Sequence, residues 1–149
     1  MQNISMPKTI HIDWTRYPNF FKLYEKKKNV PKLIYVIGLS KLVYVGNVGS
    51  KGGKSGLARR YDEQYVLRAA SIFGTKIPKS QPCFTGEFRN PSKISKRDVL
   101  NCEKIIQEEF LLNRPKLTPA FKRMGAIVAI RIENHGNKPG FVDEVIEYA

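Results

Sequence analysis

Two short runs, LIYVIGL at 33–39 and LVYVG at 42–46, are dense in β-branched and aromatic side chains. Ser40-Lys41 between them has the length of a tight turn, so the pattern predicts a β-hairpin. Further on, Leu57, Tyr61, Tyr65, Ala69 and Ile72 recur every three or four residues and predict a helix over 55–73, with Gly74 as its stop. Residues 75–97, rich in proline and lysine and poorly periodic, read as a long basic insertion loop. Asp98 is placed to cap a second helix that runs to about Leu112 and ends before Pro115. MGAIVAIRIEN, Met124–Asn134, predicts a strand, Gly136, Pro139 and Gly140 a turn, and FVDEVIEY a short closing strand or helix. Ahead of the hairpin, residues 1–32 form a leading segment in which Phe20, Phe21 and Tyr24 share a helical face, which predicts a short helix packed on the core. The expected architecture is a single α/β (α+β) domain over residues 1–149, with a small antiparallel sheet built on the hairpin and flanked by helices. No internal repeat is present.

Register gives the hairpin its chemistry. With a two-residue turn, positions whose numbers sum to about 81 face each other, so Tyr35 lies opposite Gly46 and Tyr44 opposite Ile37. Residues two apart share a face of a strand, which makes the tyrosines diagonal neighbours roughly 7–8 Å apart. The following helix carries the arginine pair Arg59-Arg60. Phenols and guanidinium groups are thus gathered where a phosphate can sit, which points to phosphodiester chemistry. The intervening loop, GNVGSKGGKSG, contains the GKS ending of a nucleotide-binding P-loop. Only three residues separate Gly49 from Gly53, however, where that motif needs four. The glycines read better as letting the backbone and Lys51 or Lys54 approach a nucleic-acid phosphate.

Charge supports the same kind of partner. Lysine and arginine total 26 against 13 acidic residues, for a net charge of +13 and a pI near 9.9. Such a chain is drawn to polyanions, and neutralising phosphates releases counterions. In the basic loop, Lys76, Lys79, Arg89, Lys93, Lys96 and Arg97 are placed to follow a backbone or enter a groove. The leading segment, with its lysine run after Tyr24, has a second reading as an arm on nucleic acid. No stretch of about 18 apolar residues predicts a membrane span, and the start of the chain lacks the apolar run of a signal peptide. Two cysteines, Cys83 and Cys102, are too few and too separated for a disulfide framework or zinc motif, and suit a reducing cytoplasm. His11 and His135 are far apart and outside any ligand-spaced cluster, so each reads as a surface or packed histidine.

IYV at Ile34–Val36, YVG at Tyr44–Gly46 and LARR at Leu57–Arg60 resemble, in order and spacing, the motifs of the GIY-YIG nuclease family. The resemblance extends over about Leu33 to Thr118. It implies a GIY-YIG-like fold and hydrolysis of phosphodiester bonds with a divalent cation, Mg²⁺ or Mn²⁺. The family's metal-binding glutamate maps best to Glu103 in NCEKIIQEEFLLNRP, with Glu108 and Glu109 as the other candidates. One carboxylate suffices for a hard cation that keeps most of its waters. Arg60, with Arg59 as its rival, would clamp the phosphate through a planar fork of donors. Tyr35 or Tyr44 would take a proton from water. An ordinary phenol, with pKa about 10, needs cations close by for that task, and Lys51, Lys54 and Arg60 are candidates. Arg59, Tyr65, Lys93, Lys96 and Arg97 complete the substrate-binding set.

A freestanding domain with a basic insertion resembles a small type II restriction endonuclease, expected to act on double-stranded DNA as a homodimer in the cytoplasm. The alternative is a non-catalytic basic nucleic-acid-binding protein in which the tyrosines serve only as core.

Overall fold

The computed structural model describes residues 8–38, 43–49, 82–113 and 130–148. The strands are β1 (Lys8–Tyr17), β2 (Leu33–Ile37), β3 (Tyr44–Val48), β4 (Cys83–Phe88), β5 (Ile130–Gly136) and β6 (Val145–Tyr148). The helices are α1 (Phe20–Lys27) and α2 (Lys96–Asn113), with a 3-10 turn at Pro91–Lys93. The fold is α+β. Its single described sheet has the order β3-β2-β4-β1-β5-β6, antiparallel throughout except for the β1–β5 pair. The expected hairpin is there, with a helix on each face, but the sheet is larger than expected and mixed. The predicted helix over 55–73, the turn at Ser40-Lys41 and the first half of the Met124–Asn134 strand lie outside the described residues.

Two strands come from segments that the sequence pattern assigns elsewhere. In KTIHIDWTRY of the leading segment, Ile10, Ile12 and Trp14 alternate with Thr9, His11 and Asp13, and the three apolar residues are buried. Inside the supposed loop 75–97, CFTGEF forms β4 between β2 and β1. A strand with neighbours on both edges and layers on both faces is buried nearly throughout, so it shows no alternation to read.

Helix α1 starts at Asn19, whose side chain accepts from the Lys22 amide at 2.9 Å. It buries Phe20 and Leu23 against Leu33, Tyr35, Ile37, Tyr44, Val48 and Cys83. Phe21, expected on the buried side, points outward at 68% exposure, because adjacent helical residues diverge by about 100°. Lys27 in the last turn donates to Glu87 on β4 at 2.9 Å and ties the helix to the sheet.

Helix α2 covers the opposite face with Val99, Cys102, Ile105, Ile106 and Phe110, packed on Ile12, Ile34, Val36, Val45, Phe84 and Ile132, among others. Its start is a capping box. Ser95 Oγ accepts from the Asp98 amide at 3.0 Å, and the Asp98 carboxylate accepts from the Ser95 amide at 2.9 Å. Lys8 Nζ donates to the same carboxylate at 2.5 Å, joining the start of β1 to α2. Both cysteines are buried without a disulfide, and burial pushes the Cys83 thiol up to about 12 and raises that of Cys102 as well.

Gly46 is required by its partner. A β-carbon there would lie 2.4 Å from Cζ and 2.5 Å from Oη of Tyr35, so the phenol ring rests on the glycine. Gly46→Ala is expected to cost about 1–3 kcal/mol through overpacking. In a Tyr35→Ala background, urea denaturation should show a smaller cost. Equal costs in both backgrounds would rule out the ring as the reason for glycine.

Burial by itself would raise the Asp98 carboxyl, but the bonds from Lys8 and Ser95 outweigh it and hold the group below its ordinary 3.8. Below that pH the unfolded chain takes up a proton before the native one does. The contribution is therefore fully present above pH 3.8 and is lost as pH falls through the depressed native value. Asp98→Asn should cost about 1 kcal/mol at neutral pH and flatten the acid limb of a stability–pH curve measured by urea midpoints.

Candidate functional site

The hairpin register matches the two-residue-turn expectation residue for residue: Tyr35 pairs with Gly46 and Ile37 with Tyr44. The tyrosine rings are tilted neighbours on one face, 6.0 Å between centroids. Both are buried, at 1% and 4% exposure, in the cluster beneath α1.

Glu103 approaches the same hairpin from the other face. Among the three candidate glutamates, Glu108 is buried while Glu103 and Glu109 are half-buried. One helical turn after Glu103, the Gln107 amide donates to Glu103 Oε1 at 2.9 Å and, more loosely, to the Val45 carbonyl at 3.4 Å. Val45 is the residue after Tyr44, and β3 ends the described strand order. The structure thus joins Tyr35 to Tyr44, and links Glu103 through one amide to the strand that carries Tyr44. The tyrosines and the glutamate lie on opposite sides of that strand.

The basic residues divide. Lys96 and Arg97, in the first turn of α2, line an open cleft of about 570 Å³ together with Lys32, Gly49, Ser92 and Ser95. Gly49 ends β3 with φ of +104°, a conformation that favours glycine, and a β-carbon there would meet the Pro31 carbonyl at 2.7 Å. Lys32 Nζ is already engaged, donating to the carbonyls of Pro91 at 3.0 Å and Ile94 at 2.5 Å. The positive end of the α2 dipole adds to the field of the cleft. Lys93 stands on the 3-10 turn beside this cleft without lining it. Arg89 forks onto Asp13, at 2.6 Å from Nη2 and 3.3 Å from Nε, and this hydrogen bonding holds the Asp13 carboxyl below its ordinary range. Lys51, Lys54, Arg59, Arg60, Tyr65, Lys76 and Lys79 lie outside the described residues.

Sequence reasoning missed one cluster. His11 and His135 are brought to 3.1 Å, Nδ1 to Nε2, with ring planes 18° apart and centroids at 5.4 Å, and Glu133 stands beside them. The approach spans two strands more than a hundred residues apart, so no local spacing announces it. The available signal was alternation: Glu133 and His135 are two apart on a strand, and His11 takes a polar position in KTIHIDW.

Comparison with protein-family models, with curated proteins and with solved structures finds no match.

If the cleft takes a phosphate backbone, replacing both Lys96 and Arg97 by alanine should weaken DNA binding uniformly across sequences. The slope of log K against log salt should fall by about 1 for each phosphate that is no longer neutralised. An unchanged slope in fluorescence-anisotropy titrations would place the backbone elsewhere.

Proposed function

We propose that the chain is a metal-dependent endonuclease that hydrolyses phosphodiester bonds of double-stranded DNA site-specifically, in the manner of a small restriction endonuclease. The observation that carries this reading is the Gln107 bridge, which ties Glu103 to the strand bearing Tyr44, while register sets Tyr35 beside Tyr44. A carboxylate oxygen held in orientation by a neutral amide suits a hard cation with few protein ligands, so Glu103 would hold Mg²⁺ or Mn²⁺. When bound, that ion supplies neutralisation of charge on the phosphoryl and leaving oxygens.

The chain's own groups do the remaining work in this reading. Either tyrosine accepts the proton of the attacking water, and Lys51 and Lys54 favour the charged phenolate. Arg60, with Arg59 next to it, holds the scissile phosphate by paired hydrogen bonds. Lys96 and Arg97 guide the DNA backbone along the cleft at the start of α2. Work on a palindrome calls for a homodimer, and action on intracellular DNA for the cytoplasm. Among the described residues, no helix is long and apolar enough to cross a membrane.

A second reading, a basic nucleic-acid-binding protein without catalysis, is favoured by one observation: both tyrosines are almost fully covered beneath α1. The two readings separate on unmethylated phage DNA incubated with Mg²⁺. Discrete fragments, abolished by EDTA and reduced by a factor of about 100 or more in Glu103→Ala, are the expected result. A smear abolished by both treatments would retain hydrolysis and remove site specificity. Tight binding without cutting, across several metals, would make the binding protein the better account.

A further inference from the structure

We propose that His11, Glu133 and His135 form a transition-metal site of the zinc class, separate from Glu103 and independent of the nuclease reading. The parallel register of β1 and β5 sets His11 against Glu133 and Asp13 against His135, so the three side chains share the face of the sheet opposite α2. Helix α1 covers the β2, β3 and β4 part of this face. Over β1 and β5 the side chains of this face are polar and half-exposed or exposed, and on β6 the exposed Val145 pairs with Glu133.

One ligand atom from each of the three residues can be chosen so that all lie within 4.8 Å of one another. The histidine nitrogens are at 3.1 Å. Two imidazoles bound to one tetrahedral Zn²⁺, at 2.0–2.1 Å each, stand about 3.3 Å apart, so the rings already have nearly the separation that a shared metal needs. Without a metal, the same approach is an N–H···N bond between the rings, and an incoming cation replaces its proton. Small side-chain rotations bring the Glu133 carboxylate in, because the residue is half-exposed and its bond from Arg131 is long, at 3.4 Å. Arg131 keeps a second partner in Glu147 when Glu133 turns away.

Two imidazoles and one carboxylate favour Zn²⁺, Co²⁺ or Ni²⁺ over Mg²⁺, which prefers oxygen donors alone. Three protein ligands on an open face leave a position for water, as in zinc sites that keep an exchangeable ligand. The ion would also clip β1 to β5, whose only links are noncovalent, and binding to the native state alone raises its stability.

The test uses the full chain without a histidine tag, stripped with chelator and titrated with ZnCl₂ by calorimetry. One Zn²⁺ per chain is expected, with a rise in thermal midpoint on binding. His11→Gln and His135→Gln should each weaken binding at least about tenfold, and Glu103→Gln should leave it unchanged. Since these positions are half-exposed, the variants should match the wild-type urea midpoint without metal, which separates ligand loss from misfolding. Co²⁺ added to the unaltered chain should give visible absorption without a thiolate charge-transfer band, because both cysteines are buried away from the site. Absence of saturable Zn²⁺ binding and of the Co²⁺ spectrum, or wild-type affinity in the folded His11→Gln variant, would overturn the proposal. Loss of binding in Glu103→Gln alone would overturn it too, by moving the metal to the helix.

Discussion

Strand β1 works because it is satisfied on both edges, by antiparallel β4 and parallel β5. A strand with unpaired amides and carbonyls beside a buried core loses far more than it gains, so this double pairing lets an N-terminal segment occupy the middle of the sheet. The pairing is reinforced at one end by Trp14, whose indole donates to Asn134 Oδ1 at 2.8 Å, while Asn134 Nδ2 donates to the Asp143 carbonyl at 2.8 Å. A buried indole N–H and a buried amide thereby find partners, and the chain after β5 is held to the sheet. Both layers of core follow. Ile10, Ile12 and Trp14 meet α2 on one side, and β4 is positioned to hold β2 and its hairpin on the other edge.

That arrangement makes the two faces of the hairpin unlike. One receives α1 and encloses the tyrosine pair; the other receives α2, whose Gln107 reaches the β3 backbone and Glu103 together. In the proposed nuclease, chemistry at the hairpin depends on groups that arrive from different layers. A shift of α2 by one residue would turn Gln107 and Glu103 away and replace a polar meeting with an apolar one, because helical neighbours diverge by about 100°.

Charge acts on a different scale. The acids of the described ion pairs, Asp13, Glu87, Asp98, Glu133 and Glu147, are matched by Arg89, Lys27, Lys8 and Arg131. The exposed pairs among them, Arg89 with Asp13 and Arg131 with Glu147, contribute little to stability individually. Pairing leaves the net charge of +13 unchanged, and that surplus sets a field that favours anions.

The chain's local rules determined the hairpin and its register, the presence of α2 and the strand at Ile130–Asn134, since each rests on alternation, turn length or periodicity within a few residues. Asp98 reads as the cap, but the helix begins earlier, at Lys96, with Ser95 at the cap and Asp98 accepting from the Ser95 amide. The placement of Tyr35 beside Tyr44 was likewise legible, because antiparallel register follows from the turn. Three things were decided only by tertiary structure. Strand β4 is buried on both faces and lost the alternation by which strands are recognised. The link of Glu103 through Gln107 to the β3 backbone was set by the docking of α2, to which helical periodicity is indifferent. The His11, Glu133 and His135 cluster exists because a parallel pairing joins segments from the two ends of the chain, and long-range pairing is set by which edges remain to be satisfied, not by local spacing.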